Sequence, residues 1–260
     1  MSQRMPSLFL GHGSPMNLIL ENHFTEALHE LSKELPLPKA IVCISAHWYT
    51  TQTAITMASG IRYETIYDFY GFPPALYELS YPSPSNNTLS KRIAELLDIP
   101  MVERGLDHGA WMPLSYLFPK ASIPVLQLSI DKTLPLDKHI ALGEKLRVLR
   151  DEGIMIVASG NLTHNLNLVD FYNINAPAVP WAQNVDAFID KAMQAHDTQS
   201  LIHIESLCSD FKTAHPSIDH YLPLLYIAGT KCEEDTLQVL TPFFQNASLS
   251  MKGFMYNTAL

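Results

Sequence analysis

The sequence predicts an α/β fold in a single domain, residues 1–260, with a central, mostly parallel β-sheet flanked by helices on both faces. Two observations carry this. Strand-like apolar runs alternate with helix-period stretches along most of the chain, the pattern of a sheet covered by helices. The run Pro124-Val-Leu-Gln-Leu-Ser-Ile130 is nearly continuous β character, as expected of a strand buried on both faces. No linker, repeat or low-complexity segment divides the chain.

The first strand, Leu8-Phe-Leu-Gly-His12-Gly-Ser-Pro15, stops at a histidine held between two glycines, which permit a sharp turn and close approach of a ligand. Asn22 to Lys33 carries Phe24, Ala27, Leu28 and Leu31 at helical spacing, and Leu35-Pro-Leu-Pro38 ends that helix. The second strand, Ala40-Ile-Val-Cys-Ile-Ser-Ala-His47-Trp48, again closes on a histidine. Thr53 to Met57 alternates like a sheet strand. Tyr63 to Pro84, with Tyr67, Phe69, Tyr70, Phe72 and Tyr77, is too irregular for a regular element and too apolar for a solvated linker. It reads as an ordered loop packed over a pocket. Its plainer reading is a proline-pinned excursion that fills core gaps.

Asn87 to Leu97 is an amphipathic helix, and Leu106-Asp-His108-Gly-Ala-Trp111 is a loop feeding a helix over Met112 to Phe118. Asp137 to Arg150 makes a helix with Gly153 as its stop signal. The strand Ile154 to Ala158 leads to the loop holding His164. Pro180 to His196 is a helix with proline in its first turn. Ala214 to His220 leads into a short helix over Tyr221 to Ile227, and Leu249 to Tyr256 makes a final strand.

The totals bound the function. With 26 acidic against 17 basic residues the chain is unsuited to nucleic acid or an anionic membrane surface. Cys43, Cys208 and Cys232 form no Cys-x-x-Cys pair and leave one thiol over, so no disulfide framework is expected. The Met1 end lacks the order of a signal peptide and no apolar run reaches membrane-spanning length, so a cytoplasmic protein is expected.

Histidine placement is the strongest functional signal. Ligands of open α/β sheets bind outside the carboxyl ends of the strands. His12, His47 and His164 follow three such ends and should converge there, in the manner of a metal site or an acid–base group. His23, His29, His139, His196 and His203 fall in helix-like stretches, where solvent-facing or capping roles are expected. Spacing alone leaves His108, beside Asp107, and His220, beside Asp219, between a structural and a site role, and it favours His215 least. There is no dinucleotide loop, phosphate loop, serine elbow or His-Glu-x-x-His helix.

Taken in order, Leu10-Gly-His-Gly-Ser-Pro15, Ser45-Ala-His-Trp48, Leu106-Asp-His-Gly-Ala-Trp111, Ala158-Ser-Gly-Asn-Leu-Thr-His-Asn165 and His215-Pro-Ser-Ile-Asp-His-Tyr-Leu-Pro223 resemble the class III extradiol ring-cleavage dioxygenases, in the DOPA 4,5-dioxygenase branch. Tyr67-Asp-Phe-Tyr-Gly-Phe-Pro73 and Tyr81-Pro-Ser-Pro84 fit the same branch, and the likeness runs from Leu8 to about Ala228. The resemblance implies His12, His47 and His220 as metal ligands, with His164 as an acid–base group or a fourth ligand. It implies His108 as a further pocket histidine contacting substrate or oxygen. The broader class pairs two histidines with a carboxylate around iron. Here the matching third position is His220, with Asp219 and Glu205 the nearest acids in sequence. Non-haem Fe(II) is therefore the implied cofactor for ring cleavage, and Zn(II) also suits a neutral histidine set.

The implied partners are a small-molecule catechol of the DOPA type and O2, and a homo-oligomeric state is compatible with them. Trp48, Phe72 and Tyr221 are the expected pocket walls, and Arg62 and Arg104 the nearest bases to anchor a substrate carboxylate. Two other readings share the site: a zinc-dependent hydrolase using a metal-bound water, and a non-catalytic metal-containing binding protein.

Overall fold

The structure, a computed structural model, describes residues 4–258. Its strands in chain order are β1 (Ser7–Gly11), β2 (Ala40–Thr50), β3 (Ile55–Met57), β4 (Met101–Glu103), β5 (Val125–Asp131), β6 (Ile154–Gly160), β7 (Asp235–Leu240), β8 (Phe244–Gln245), β9 (Leu249–Ser250) and β10 (Gly253–Thr258). Eight of them form one sheet in the order β4-β3-β5-β2-β6-β1-β10-β7, and β8 pairs with β9 alone. The four middle strands, β5, β2, β6 and β1, run parallel. The flanks mix directions, since β10 is antiparallel to β1 and β7, and β3 is antiparallel to β5. The expected mostly parallel sheet is therefore the centre of a mixed one.

Period-two alternation builds a core on each face. Val42, Ile44, Ile154, Ile156 and Ala158 point into one, against α3 (Asn87–Leu97), α5 (Leu136–Asp151), α6 (Pro180–Gln194) and α10 (Leu222–Gly229). Ile41, Cys43, Met155, Val157, Leu8 and Leu10 point into the other, against α1 (His23–Glu34), α2 (Pro74–Glu78) and α4 (His108–Leu117). Three short helices, α7 (Thr198–Ile202), α8 (Ile204–Leu207) and α9 (Phe211–Ala214), lead from α6 toward α10.

Several boundaries differ from the sequence reading, each for a local reason. The helix expected from Met112 begins at His108, because the Asp107 carboxylate caps it by accepting from the Ala110 backbone N–H at 3.3 Å. The second strand does not stop at His47. It continues to Thr50 through an irregular register between Ile44 and Tyr49. The expected final strand is broken after Ser250 into β9 and β10. His139, expected at the surface, is fully buried between α5 and α10, with Nδ1 3.1 Å from the Tyr226 hydroxyl. The three cysteines are buried and free. Among the described residues no helix is long and apolar enough to cross a membrane.

Candidate active site

The carboxyl ends of β1, β2 and β6 open into one cavity of about 680 Å³, lined among others by His12, His47, His108, His164 and His220. Its size is that of a small-molecule site. His12 directly follows β1 and is tied to the neighbouring strand, its backbone N–H donating to the Gly160 carbonyl at 3.0 Å. Gly13 then takes φ +63°, a conformation that turns the chain away and that glycine adopts at little cost. His47 enters from β2, His108 opens α4, His164 follows β6 and His220 precedes α10. Ligand nitrogens of His12, His47 and His108 lie within 4.8 Å of one another. The His220 ring centroid is 5.2 Å from that of His12 and 5.0 Å from that of His47.

Four of the rings are held at Nδ1. Ser159 Oγ lies 2.8 Å from Nδ1 of His12, and Asp219 Oδ2 lies 3.1 Å from that of His220. Asp68 serves two rings: Oδ1 is 3.0 Å from Nδ1 of His108, and Oδ2 is 3.4 Å from Nδ1 of His47. It also accepts the His108 backbone N–H at 3.0 Å. Partners of this kind fix imidazole tautomer and orientation around a metal. What remains faces inward. Nε2 of His12 and His47 lie 3.1 Å apart, and Nε2 of His220 is buried with no hydrogen-bond partner among the described residues.

The electrostatics keep His12, His47 and His164 neutral. Burial, then the neighbouring imidazoles, holds His12 and His47 well below the usual histidine range. Burial likewise pushes His164 down to about 2, with His220 adding to the effect. The His164 ring stacks on His220, centroids 3.5 Å apart and planes 4° from parallel. Burial works to raise Asp68, but hydrogen bonds from His108 hold its carboxyl below the ordinary value. Asp219 behaves in the same way through His220. Neutral imidazoles present lone pairs, and lone pairs gathered beside an unpaired buried nitrogen suit a cation. Metal–nitrogen bonds of about 2.0–2.1 Å place neighbouring ligand atoms roughly 3 Å apart, which the His12–His47 pair matches.

Residues 7–253 match the family described as the catalytic LigB subunit of aromatic ring-opening dioxygenase. The chain belongs to that family. It is 40% identical over 261 residues to a protein of Escherichia coli (strain K12) named 4,5-DOPA dioxygenase extradiol, covering 96% of this chain and 94% of that one. A protein of the same name from Beta vulgaris is 34% identical, with 97% and 96% covered. The crystal structure of an uncharacterized Escherichia coli K12 protein superposes with a TM-score of 0.82 at 37% identity, covering 97% of this chain and 99% of that one. The protein is thus an aromatic ring-opening dioxygenase, an enzyme of a metal-dependent class that acts on a small molecule. Neither alternative reading, hydrolase or binding protein, gains support from these relatives.

In this dioxygenase the five histidines singled out from the sequence meet in one cavity, and Phe72 joins its wall. Trp48 and Tyr221 do not. Trp48 packs under the Arg104 guanidinium, 4.9 Å from the ring centroid, and Tyr221 is buried with its hydroxyl donating to the Leu201 carbonyl at 2.9 Å. Arg62 is spent on the Pro82 carbonyl at 2.5 Å and Arg104 on Asp107 at 3.2 Å, so neither reaches the cavity lining. The acid beside His108 is not its partner either. Asp107 caps α4 and accepts from Ser45, while Asp68, forty residues away, holds the ring. Asp219 does hold its sequence neighbour His220, whereas Glu205 lies exposed on α8. Asp68 and Ser159 were visible only as members of a loop and a strand. A carboxylate inside an apolar, proline-rich stretch was the one signal for Asp68.

Proposed function

We propose that residues 1–260 form one catalytic domain that opens the ring of a catechol of the DOPA type beside its diol, using O2 and a non-haem iron held by His12, His47 and His220, in the cytoplasm. The observation that carries the reading is the unpaired, buried Nε2 of His220 beside the 3.1 Å Nε2 pair of His12 and His47. The names of the relatives support the DOPA-type substrate, and three buried free thiols suit a reducing compartment. Iron, when bound, supplies a Lewis-acidic, redox-active centre that acidifies a diol hydroxyl and brings diol and O2 together. The chain's own residues do the rest. His108, with Asp68 fixing Nδ1 as donor, keeps Nε2 as a proton-accepting atom toward the substrate hydroxyl. His164, stacked on His220, stands at the cavity wall as the second imidazole placed to exchange a proton with the substrate as the ring opens. Phe69 and Phe72 exclude water on one side and offer ring faces to an aromatic substrate.

The test is anaerobic reconstitution with Fe(II), then addition of O2 and a catechol panel. One O2 consumed per catechol and a yellow semialdehyde are expected. No oxygen uptake with any catechol, alongside ester hydrolysis by the zinc-loaded protein, would replace this reading with the hydrolase. The mutual reach of His12, His47 and His108 favours a second ligand set, with His108 in place of His220. Metal content of His220→Ala against His108→Ala separates the two sets.

A further inference from the structure

Two loops carry the cavity wall from the histidines out to water, one from Asp68 to Phe72 and one from Leu166 to Ile174. Each is pinned. The Tyr77 hydroxyl donates to the Phe69 carbonyl at 3.3 Å, and the Phe69 ring stands perpendicular to that of His108, centroids 5.5 Å apart. In the second loop the Asp170 N–H donates to the Asn246 carbonyl at 3.0 Å, and the Asn246 N–H donates to the Ile174 carbonyl at 2.9 Å. The loops present Tyr70, 87% exposed, and Tyr172, fully exposed, at the mouth. Neighbouring tyrosines have their hydroxyls engaged by the chain, Tyr67 with the Leu79 carbonyl and Tyr116 with the Asn17 carbonyl. Those of Tyr70 and Tyr172 have no partner among the described residues. The amides of the lining are engaged as well. Asn17 Nδ2 donates to Gln245 Oε1 at 3.0 Å, and Asn246 Nδ2 donates to the Asp170 carbonyl at 2.8 Å. Among the described residues no lysine or arginine lines the cavity.

We propose that the hydroxyls of Tyr70 and Tyr172 seat the α-amino-carboxylate group of a DOPA-type catechol at the mouth of the cavity. The inference rests on the reading that the catechol enters with its diol toward the histidines. The group on the far side of the ring then emerges between the two loops. A phenolic O–H donates to a carboxylate oxygen, and the same phenolic oxygen accepts from an ammonium. One residue type thus answers both ends of a zwitterion. A lysine or arginine in its place would attract the carboxylate but repel the ammonium beside it. A neutral donor at a wet edge also brings no charge of its own that binding must strip of water. The phenol rings stand beside exposed Phe171 and Leu166. Large apolar groups gathered at the rim of a cavity are the usual mark of a surface that a ligand covers.

Anaerobic calorimetric titration of the iron-loaded protein with DOPA and with 4-propylcatechol tests the seat without any turnover, since only DOPA carries the charged group. Tyr70→Phe and Tyr172→Phe keep both rings and remove only the hydroxyls. The ratio of the two dissociation constants, DOPA over 4-propylcatechol, cancels whatever the loops lose by repacking. Each variant is expected to raise that ratio about three- to tenfold, the scale of one hydrogen bond to a charged group at an exposed site, and the double variant about tenfold or more. A ratio unmoved in the double variant, with 4-propylcatechol still bound, overturns the proposal and leaves the catechol reading in place. Failure of both compounds to bind the parent protein overturns the two together. If the ratio rises as expected but O2 opens no ring, the seat stands and the catalytic reading falls.

Discussion

Asp68 is the side chain on which two imidazoles depend, and it comes from a loop with no periodicity. Replacing it with alanine frees Nδ1 of His108 and of His47 at once. Loss of such a partner typically weakens metal binding about 10–100-fold, so Asp68→Ala should show that loss in a competitive iron or zinc titration. His164 stands differently. Among the described residues no ring hydrogen bond holds it, and it leans on His220 by stacking. His164→Ala should therefore keep its metal, as read by elemental analysis, while ring cleavage falls by about 10²–10⁴-fold, the scale of an acid–base group. Unchanged oxygen uptake in that variant would refute the role. The histidines were legible in the sequence because each interrupts an apolar run or follows small residues. Their supports were not, because a hydrogen bond such as Ser159 to His12 joins positions 147 apart and leaves no local pattern.

At the scale of elements, α4 delivers His108, and its seating on β2 is tight. Asp107 caps the helix and accepts from Ser45 of β2 at 2.7 Å. Gly109 follows, so close to the strand that a Cβ there would overlap Ser45 Oγ and come within 2.8 Å of His47 Cδ2. Gly109→Ala should push the helix off the strand, costing about 1–3 kcal/mol as overpacking usually does. Denaturant unfolding would measure that cost, and a lowered metal content would show that His47 had moved. The same element shows why sequence reading fails unevenly. Asn87–Leu97 was readable to the residue because one face is apolar and the other wet. α4 is buried almost all round and holds Pro113 inside it, so no face pattern marked its true start at His108. β7 was missed although it alternates buried and exposed positions, because its partner β10 lies later in the chain and no hairpin turn advertises the pairing.

Across the whole molecule, parallel strands turn distant positions into neighbours. β1, β2 and β6 lie side by side with their carboxyl ends together, and so residues from His12 to His220 reach one cavity. The convergence was legible, since strand-end histidines needed only the parallel sheet to meet. His139 was not, because its helix carries polar residues on both sides and only the docking of α10 buries it. That burial has a global consequence. Burial lowers His139 to about 4 from the usual 6.5, the Leu134 backbone and nearby Asp131 and Asp137 opposing part of the effect. Between those values the unfolded chain binds a proton at this site and the folded chain does not, so acidification favours unfolding. Stability should be complete above about pH 6.5 and fall as pH drops toward 4, with this one site contributing about 3 kcal/mol to the loss. His139→Gln removes the titration while keeping an amide near the Tyr226 hydroxyl. Its urea midpoint should start lower at pH 7 and vary less than that of the parent between pH 6.5 and 4, and parallel pH profiles would show that the proton goes elsewhere.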